Sequence, residues 1–264
     1  MRVFAVSDIH VDYEVNARWV QGLSNVDYRD DVLILAGDVS DSTDRLFFAV
    51  EALARRFKKV MFVPGNHDLW ILRSQAAFTS IEKFEQVRHV IANCGGLMAP
   101  WSCDDVAIVP LFSWYDFSFG SPGLELRDSW MDFRACKWPQ GYAEAEVTRH
   151  FLALNQPALS VKHDRVITFS HFLPRIDLMP SYIPAQFRAL YPVLGTSALD
   201  VQLRRLNPLI HVYGHSHVNR SLVLDGVQYV NNAFGYPAET RIANKQLKCI
   251  FDSTMNFQRS ALAG

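Results

Sequence analysis

The chain has 264 residues, of which 49% are hydrophobic and 20% are charged, and its formal net charge is -1. This composition predicts a packed globular fold and excludes a largely disordered chain. The near-neutral charge gives no support to a broadly basic surface, so nucleic acid is not an expected partner. No apolar run reaches the roughly 18 residues needed to cross a bilayer, so no membrane partner is expected either.

The four cysteines are far apart in the sequence and form no C-x-x-C pair. They are Cys94, Cys103, Cys136 and Cys249. Their spacing indicates neither a thiolate zinc site nor a redox motif, and free thiols in a reducing compartment are expected. The first apolar run is too short for a signal peptide and leads straight into polar residues. Together these features predict a cytoplasmic protein.

Short β-branched runs bounded by turn residues predict eight buried strands. In chain order, the predicted strands cover residues 3–6, 32–36, 60–63, 106–109, 166–169, 209–213, 222–224 and 227–230. The dipeptide Asp225-Gly226 separates the last two and predicts a tight hairpin turn.

Apolar residues at helical spacing predict four helices, at 15–23, 44–57, 143–154 and 197–206. The first two alternate with the first three strands. The first third of the chain is therefore predicted to be a β-α-β-α-β unit with parallel strands.

Residues at about 112–140 fit neither periodicity and are rich in aromatic side chains. We interpret them as an irregular insertion within a single domain that spans residues 1–264. Two functions are open for its aromatic residues. Packing over the sheet is favoured for Trp130, Phe133 and Trp138, and a place in the substrate cleft is favoured for Trp114 and Tyr115.

Polar groups directly follow five of the predicted strands. The five segments are Asp8-Ile9-His10, Gly37-Asp38-Val39-Ser40-Asp41, Gly65-Asn66-His67-Asp68, Ser170-His171 and Gly214-His215-Ser216-His217. Each segment alone has an ordinary explanation as a turn or a buried histidine. In α/β sheets, however, ligand sites form at the carboxyl ends of strands, so the five segments are expected to converge.

The carboxylate, carboxamide and imidazole groups of these segments suit Mn, Fe, Zn or Mg better than a soft metal. They suffice for two ions that share one carboxylate. Two ions about 3.5–4 Å apart can hold a hydroxide between them and stabilise an in-line displacement. His215 and His217 support this interpretation, because two protonated histidines so close together would repel each other.

The series D-x-H, G-D-x-x-D, G-N-H-D, H and G-H-x-H, in this order, resembles the calcineurin-like metallophosphoesterase family. The resemblance runs from about residue 2 to about residue 235. It implies an α/β four-layer sandwich, in which helices flank two central mixed β-sheets. It also implies a dinuclear metal-dependent phosphoric ester hydrolase. In such an enzyme a metal-bridging hydroxide attacks a phosphomonoester or a phosphodiester in line.

The resemblance also implies roles for individual residues. The implied metal ligands are Asp8, His10 and His217 for one ion, Asn66, His171 and His215 for the other, and Asp38 as the bridge. The two ions would be divalent or trivalent Mn, Fe, Zn or Mg. His67 would donate a proton to the leaving oxygen or stabilise the transition state. Asp41 would orient His67 and fix its tautomer.

Several residues near the motifs are expected to contact the substrate, a small-molecule phosphate ester. These residues are Asn66, His67, Trp70, Arg73 and Arg175. The two arginines are included because guanidinium groups pair well with phosphate oxygens.

Structural roles are expected for three other polar residues in or near the motifs. Asp68 is expected to brace its loop, His211 to pack within the sheet and Asp12 to cap a helix.

One alternative is a catalytically idle family scaffold that binds a protein partner through the aromatic insertion. Such a scaffold would have lost metal ligands or the proton donor, and this sequence keeps both. A nuclease would need a basic track for the nucleic-acid backbone. A protein phosphatase would need an extended peptide groove, for which the sequence gives no sign. Both therefore rank below a small-molecule esterase.

Overall fold

The structure is a computed structural model that describes residues 1–73 and 79–254. Within these ranges the strands are β1 (Arg2–Val6), β2 (Val32–Ala36), β3 (Lys59–Val63), β4 (Gly96–Leu97), β5 (Trp101–Cys103), β6 (Val106–Pro110), β7 (Arg165–Phe169), β8 (Ile210–Tyr213), β9 (Arg220–Leu224), β10 (Val227–Asn231) and β11 (Lys248–Asp252). The α-helices are α1 (Glu14–Gly22), α2 (Thr43–Ala54), α3 (Ser80–Asn93), α4 (Leu124–Ser129), α5 (Asp132–Ala135), α6 (Glu144–Leu154) and α7 (Ser197–Leu206).

The strands form two mixed sheets. The first has the order β11-β1-β2-β3-β4, in which β1 to β4 are parallel and β11 is antiparallel to β1. The second has the order β5-β6-β7-β8-β10-β9, with parallel pairing from β6 to β10 and antiparallel strands at both edges. Both sheets therefore present several parallel carboxyl ends along one rim.

The two sheets pack face to face through a shared apolar layer. Ile34 and Met61 from the first sheet lie in one buried cluster with Ile108, Ile167 and Val212 from the second. The outer face of the first sheet packs against α1, α2 and α3, and that of the second packs against α6 and α7. The order helices, sheet, sheet, helices confirms the predicted four-layer sandwich.

All eight predicted strands are present, with ends that differ by at most two residues. Helix α3 was not predicted, because its buried face includes Ser80 and Lys83 and so lacks a purely apolar stripe. A capping box formed by Thr79 and Glu82 begins this helix. The edge strands β4, β5 and β11 were also missed, because they are short or carry polar residues.

The aromatic insertion is more regular than predicted, since it contains α4 and α5. Trp114 and Tyr115 are fully buried and pack against Phe172, so their expected place in the substrate cleft is wrong. Trp138 packs as predicted, with its ring centroid 4.9 Å from that of Trp114. Trp130 and Phe133 also pack against this cluster, as predicted. Trp130 in addition lies beside His215, with 5.9 Å between the ring centroids.

The structure also tests the predictions made for the cysteines, His211 and Asp12. All four cysteines are free, as predicted. His211 is fully buried within β8, where its ring nitrogens face the hydroxyls of Thr168 and Ser170 at 2.8 and 3.1 Å. Asp12 does not cap α1, because the N-cap residue is Tyr13. Among the helices of the described residues, none is long and apolar enough to cross a bilayer.

Replacing Ile34 with alanine should test the packing between the sheets. Ile34 is fully buried between them, so the cavity left by Ile34→Ala should lower the free energy of unfolding by about 2–5 kcal/mol. Urea denaturation measures this change. Val201→Ala, at a side chain that is 66% exposed on α7, is the matched control and should change the value by less than about 0.5 kcal/mol. Equal losses in the two variants would contradict the assignment of this layer as the core.

Candidate active site

Five strand ends deliver polar side chains to one rim of the sandwich. These ends follow β1, β2, β3, β7 and β8, and they carry Asp8, His10, Asp38, Asn66, His171, His215 and His217. All seven side chains are buried. The seven residues predicted as metal ligands therefore lie together, although up to 209 positions separate them in the sequence (217 − 8).

The backbone at this rim is unusual. Left-handed conformations occur at Asp8, His10, Asp38, His215 and His217, with φ values between 45° and 65°. Non-glycine residues rarely adopt such values, and they concentrate at functional sites where the surrounding structure holds them in place. The strained turns aim five of the seven side chains at a common point.

The first group consists of Asp8, His10 and His217. Nε2 of His217 lies 3.2 Å from Oδ1 of Asp8 and 3.3 Å from Nε2 of His10. These three ligand atoms lie within 4.8 Å of one another, a spacing that suits one metal ion.

The second group consists of Asp38, Asn66, His171 and His215. Nε2 of His171 lies 3.1 Å from Oδ1 of Asn66, 3.1 Å from Nδ1 of His215 and 3.5 Å from Oδ2 of Asp38. Asp38 also groups with His10 and His67. Its carboxylate therefore lies between the two groups, at the position of a bridging ligand.

Charge distribution at the site fits a cation. Burial, together with the carboxylates of Asp8 and Asp68, raises the pKa of Asp38 well above its usual range. Burial and the neighbouring histidines lower the pKa of His10 to about 3 and hold that of His215 well below its usual value. His217 differs: against the effect of burial, the carboxylates of Asp8 and Glu239 raise its pKa to about 10. Imidazole and carboxylate groups are ligands of the kind that metals such as Mn, Fe and Zn take. The donor set of this site therefore fits the implied metals.

Three of the histidine rings are fixed by a bond from their outward nitrogen. Nδ1 of His171 donates to the carbonyl of Ala36 at 2.9 Å, and Nε2 of His215 donates to the carbonyl of Val193 at 3.0 Å. Nδ1 of His217 lies 2.6 Å from Oε2 of Glu239. Such partners set the tautomer and leave the other nitrogen for a metal. Glu239 was not predicted from the sequence, since no motif contains it.

A buried carboxylate orients the Asn66 amide. Asp132 accepts hydrogen bonds from Nδ2 of Asn66 at 2.9 Å, Nε1 of Trp70 at 2.7 Å and Nε1 of Trp130 at 2.8 Å. Because the amide nitrogen faces Asp132, the amide oxygen faces His171, as a metal ligand requires. Asp132 lies in the aromatic insertion and was not predicted from the sequence.

His67 lies at the open side of the cluster. Its Nε2 is 3.8 Å from Oδ2 of Asp38, and its ring stacks on that of Trp70 with 3.7 Å between the centroids. Asp41, which was expected to orient this ring, forms no hydrogen bond with His67 in the described residues. Its carboxylate accepts from Nη1 of Arg73 at 3.1 Å instead.

The two arginines expected to contact substrate have different surroundings. Arg73 lies beside the site, where it pairs with Asp12 and Asp41 at 3.1 Å each. Arg175 is not brought to the cluster. It pairs with Asp177 at 2.7 Å and with Asp225 in the hairpin turn before β10, which lies at the opposite end of the strand from the site.

Replacing Glu239 should weaken metal binding without removing a ligand. Glu239→Gln keeps an acceptor oxygen toward the backbone of Tyr236 but removes the charge that faces His217. We expect affinity for Mn to fall about 10–100-fold. Titration calorimetry on metal-free protein measures this affinity. Glu85→Gln, which removes only an exposed pair with Arg88, is the control. Unchanged affinity in Glu239→Gln would contradict the assigned role.

Comparison with known proteins agrees with this geometry. The model of the calcineurin-like phosphoesterase family matches residues 1–219. The [acyl-carrier-protein] phosphodiesterase PptH of Mycobacterium tuberculosis is 29% identical over 273 residues, which cover 90% of this chain and 79% of that protein. The crystal structure of phosphopantetheinyl hydrolase PptH from the same organism has a TM-score of 0.75 and 25% identity, covering 96% of this chain and 97% of that one.

The family match covers most of the chain, and the PptH structure shares its fold. Both the predicted family and the predicted hydrolysis of a phosphate ester are confirmed. The idle-scaffold alternative gains no support from the comparisons or from the complete set of buried ligands. The chain belongs to the calcineurin-like phosphoesterase family.

Proposed function

We propose that this chain is a phosphodiesterase that cleaves a phosphopantetheinyl group from an acyl carrier protein. The observation that carries the proposal is that two buried groups of candidate ligands meet at Asp38. The chain that holds them is similar to PptH, an [acyl-carrier-protein] phosphodiesterase. The similarity extends over nearly the full length of both folded chains.

The residues of the site would divide the chemistry between them. Asp8, His10 and His217 would hold one ion, Asn66, His171 and His215 the other, and Asp38 both. When bound, the two ions would supply a nucleophilic water oxygen and neutralise charge on the phosphate. His67, at the open side of the cluster, would face the leaving oxygen and donate a proton to it. Trp70 would fix the His67 ring by stacking.

The charges around the site favour a diester over a monoester. A monoester carries nearly two negative charges at neutral pH, whereas a diester carries one. Arg45 and Arg73 flank the site, but both are paired with acidic side chains. The amino group of Lys245 is occupied by backbone carbonyls, including that of Tyr236 at 2.8 Å. Few of the flanking cations are thus left to compensate a second charge.

The surface near the site suits a substrate that is itself a protein. Phe187 lies on the 3-10 helix Ala185–Val193, which ends at the carbonyl that contacts His215, and Tyr182 precedes this helix. The side chains of Tyr182 and Phe187 are 77% and 54% exposed. Apolar side chains that together form a contiguous exposed patch are typical of protein contacts, and we assign these two to such a patch. They would contact the carrier protein while its phosphodiester occupies the metal site.

Intact-mass spectrometry on a phosphopantetheinylated carrier protein tests the proposal. Protein loaded with Mn, Fe, Zn or Mg should remove the whole phosphopantetheinyl mass from the carrier. Asp38→Ala should lower this rate by more than about 100-fold, since even the outer partners of ligands contribute 10–100-fold. An enzyme that leaves the carrier intact and prefers p-nitrophenyl phosphate over its bis ester would contradict the proposal.

Exposed apolar side chains offer a second test that separates docking from chemistry. In the double variant Tyr182→Ser with Phe187→Ser, KM for the carrier protein should rise about tenfold, a loss of roughly 1.4 kcal/mol of binding. Steady-state kinetics on bis-p-nitrophenyl phosphate should be unchanged, because a small diester does not reach the surface. The control is Val223→Ser, at an exposed side chain of the edge strand β9. An unchanged KM for the carrier would exclude this surface.

A further inference from the structure

A segment beyond the family match contributes a side chain to the site. The match ends at residue 219, but residues after β10 return to the metal ligands. The ring of Tyr236 stacks on that of His10, with 4.5 Å between the centroids, and lies 5.0 Å from that of His217. Its hydroxyl lies 3.4 Å from Nε2 of His67. No sequence motif pointed to this tyrosine.

The position of the hydroxyl matters because His67 faces the substrate side of the cluster. Two groups 3.4 Å apart can both lie within hydrogen-bond distance of a single oxygen placed between them. Any oxygen that approaches Nε2 of His67 from the open side therefore also approaches the Tyr236 hydroxyl. Phenolic hydroxyls donate hydrogen bonds, so Tyr236 can donate to the same oxygen that His67 is proposed to protonate.

The backbone of Tyr236 is fixed on several sides. Its N–H donates to Oε2 of Glu239 at 2.8 Å, and its carbonyl accepts from Nζ of Lys245 at 2.8 Å. The preceding Gly235 donates its N–H to the carbonyl of Asp8 at 2.9 Å. At Gly235, φ is +71° and a Cβ would lie 2.5 Å from Oε2 of Glu239, so any other residue would be strained and would displace the Glu239 carboxylate. A donor held this firmly needs no reorganisation when the substrate reacts.

We infer that the hydroxyl of Tyr236 is a second hydrogen-bond donor, beside His67, to the leaving oxygen of the phosphate ester. The inference rests on the proposed hydrolysis and adds a catalytic residue to it. One water is consumed: its oxygen bonds to phosphorus while the bond from phosphorus to the leaving oxygen breaks. One proton of that water ends on the leaving oxygen through His67. Tyr236 keeps its own proton and stabilises the charge that develops on that oxygen.

The test is the dependence of the rate on the leaving group. Wild type and Tyr236→Phe, both metal-loaded, are compared on aryl methyl phosphates whose leaving groups range from 4-nitrophenol to unsubstituted phenol. Loss of kcat in Tyr236→Phe should grow along the series, to about 100-fold for phenol, the scale of removing one preorganised donor. The anion of a weaker acid, such as phenol, keeps more negative charge on its leaving oxygen. The rate for such a leaving group therefore depends more on the hydrogen-bond donor. An equal loss across the series would overturn the inference.

A second comparison separates direct donation from an effect on His67. Tyr236→Phe is combined with His67→Gln and compared with His67→Gln alone. If Tyr236 contacts the leaving oxygen itself, the double variant should be slower still on phenyl methyl phosphate. No further loss would make Tyr236 only a positioning residue and would overturn direct donation.

Two controls test whether the site of Tyr236→Phe is otherwise intact. Tyr13→Phe removes a hydroxyl from a tyrosine that is 46% exposed and whose ring lies 5.8 Å from that of Tyr236. This variant should follow the wild type along the whole series. Metal content and melting temperature of Tyr236→Phe should equal those of the wild type. Cleavage of aryl diesters with no action on a carrier protein would refute the proposed substrate alone and leave this inference standing.

Discussion

A single buried carboxylate holds two loops of the site together. The oxygens of Asp68 accept hydrogen bonds from the backbone N–H groups of Asp38, Val39, Ser40 and Gly65, at 2.8 to 3.0 Å. The loop after β2 and the loop after β3 are therefore held at one separation. Asp38, the proposed bridging ligand, lies on the first loop and Asn66 on the second, so the geometry of the cluster depends on Asp68.

The same region shows how the fold tolerates so much buried charge. Burial raises the pKa of Asp68 to about 6, although its four backbone donors lower it. Lys83, buried on α3, donates from Nζ to the carbonyl of Asp41 at 2.8 Å, and its charge interacts favourably with Asp68. At Gly65, a Cβ would lie only 2.1 Å from Oδ1 of Asp38. Close approach of the loops and charge compensation from behind thus act together.

Much of the fold and the cluster could be predicted from the sequence. Strands such as β2 are continuous apolar runs because both faces of a parallel strand are buried, and the polar groups after each strand end announce the site. The segment Gly65-Asn66-His67-Asp68 could be interpreted from the sequence because a hydrogen bond within the segment, from the Gly65 N–H to Asp68, helps to shape the turn. The interpretation of Asp68 as a brace agrees with the hydrogen bonds that it accepts.

The residues that were missed are defined by contacts between distant segments. Asp132, Glu239 and Tyr236 contact Asn66, His217 and His67 respectively, yet each lies outside every motif. Nothing in the local sequence distinguishes them from surface or turn residues. The same reason explains the error at Asp41, whose partner proved to be Arg73. Partners across the fold can be assigned only when the tertiary structure is known.

The left-handed backbone at five of the proposed ligands limits which residues can replace them during evolution. Asp8, His10, Asp38, His215 and His217 are turn residues with positive φ and are also proposed as metal ligands. A descendant gene released from selection for chemistry would still be selected for foldability at these codons. Glycine and asparagine tolerate such turns, whereas β-branched residues do not. Inactive homologues of this fold should therefore carry Gly or Asn at the positions of the proposed ligands. The turns themselves should be retained and would show the relationship to active members.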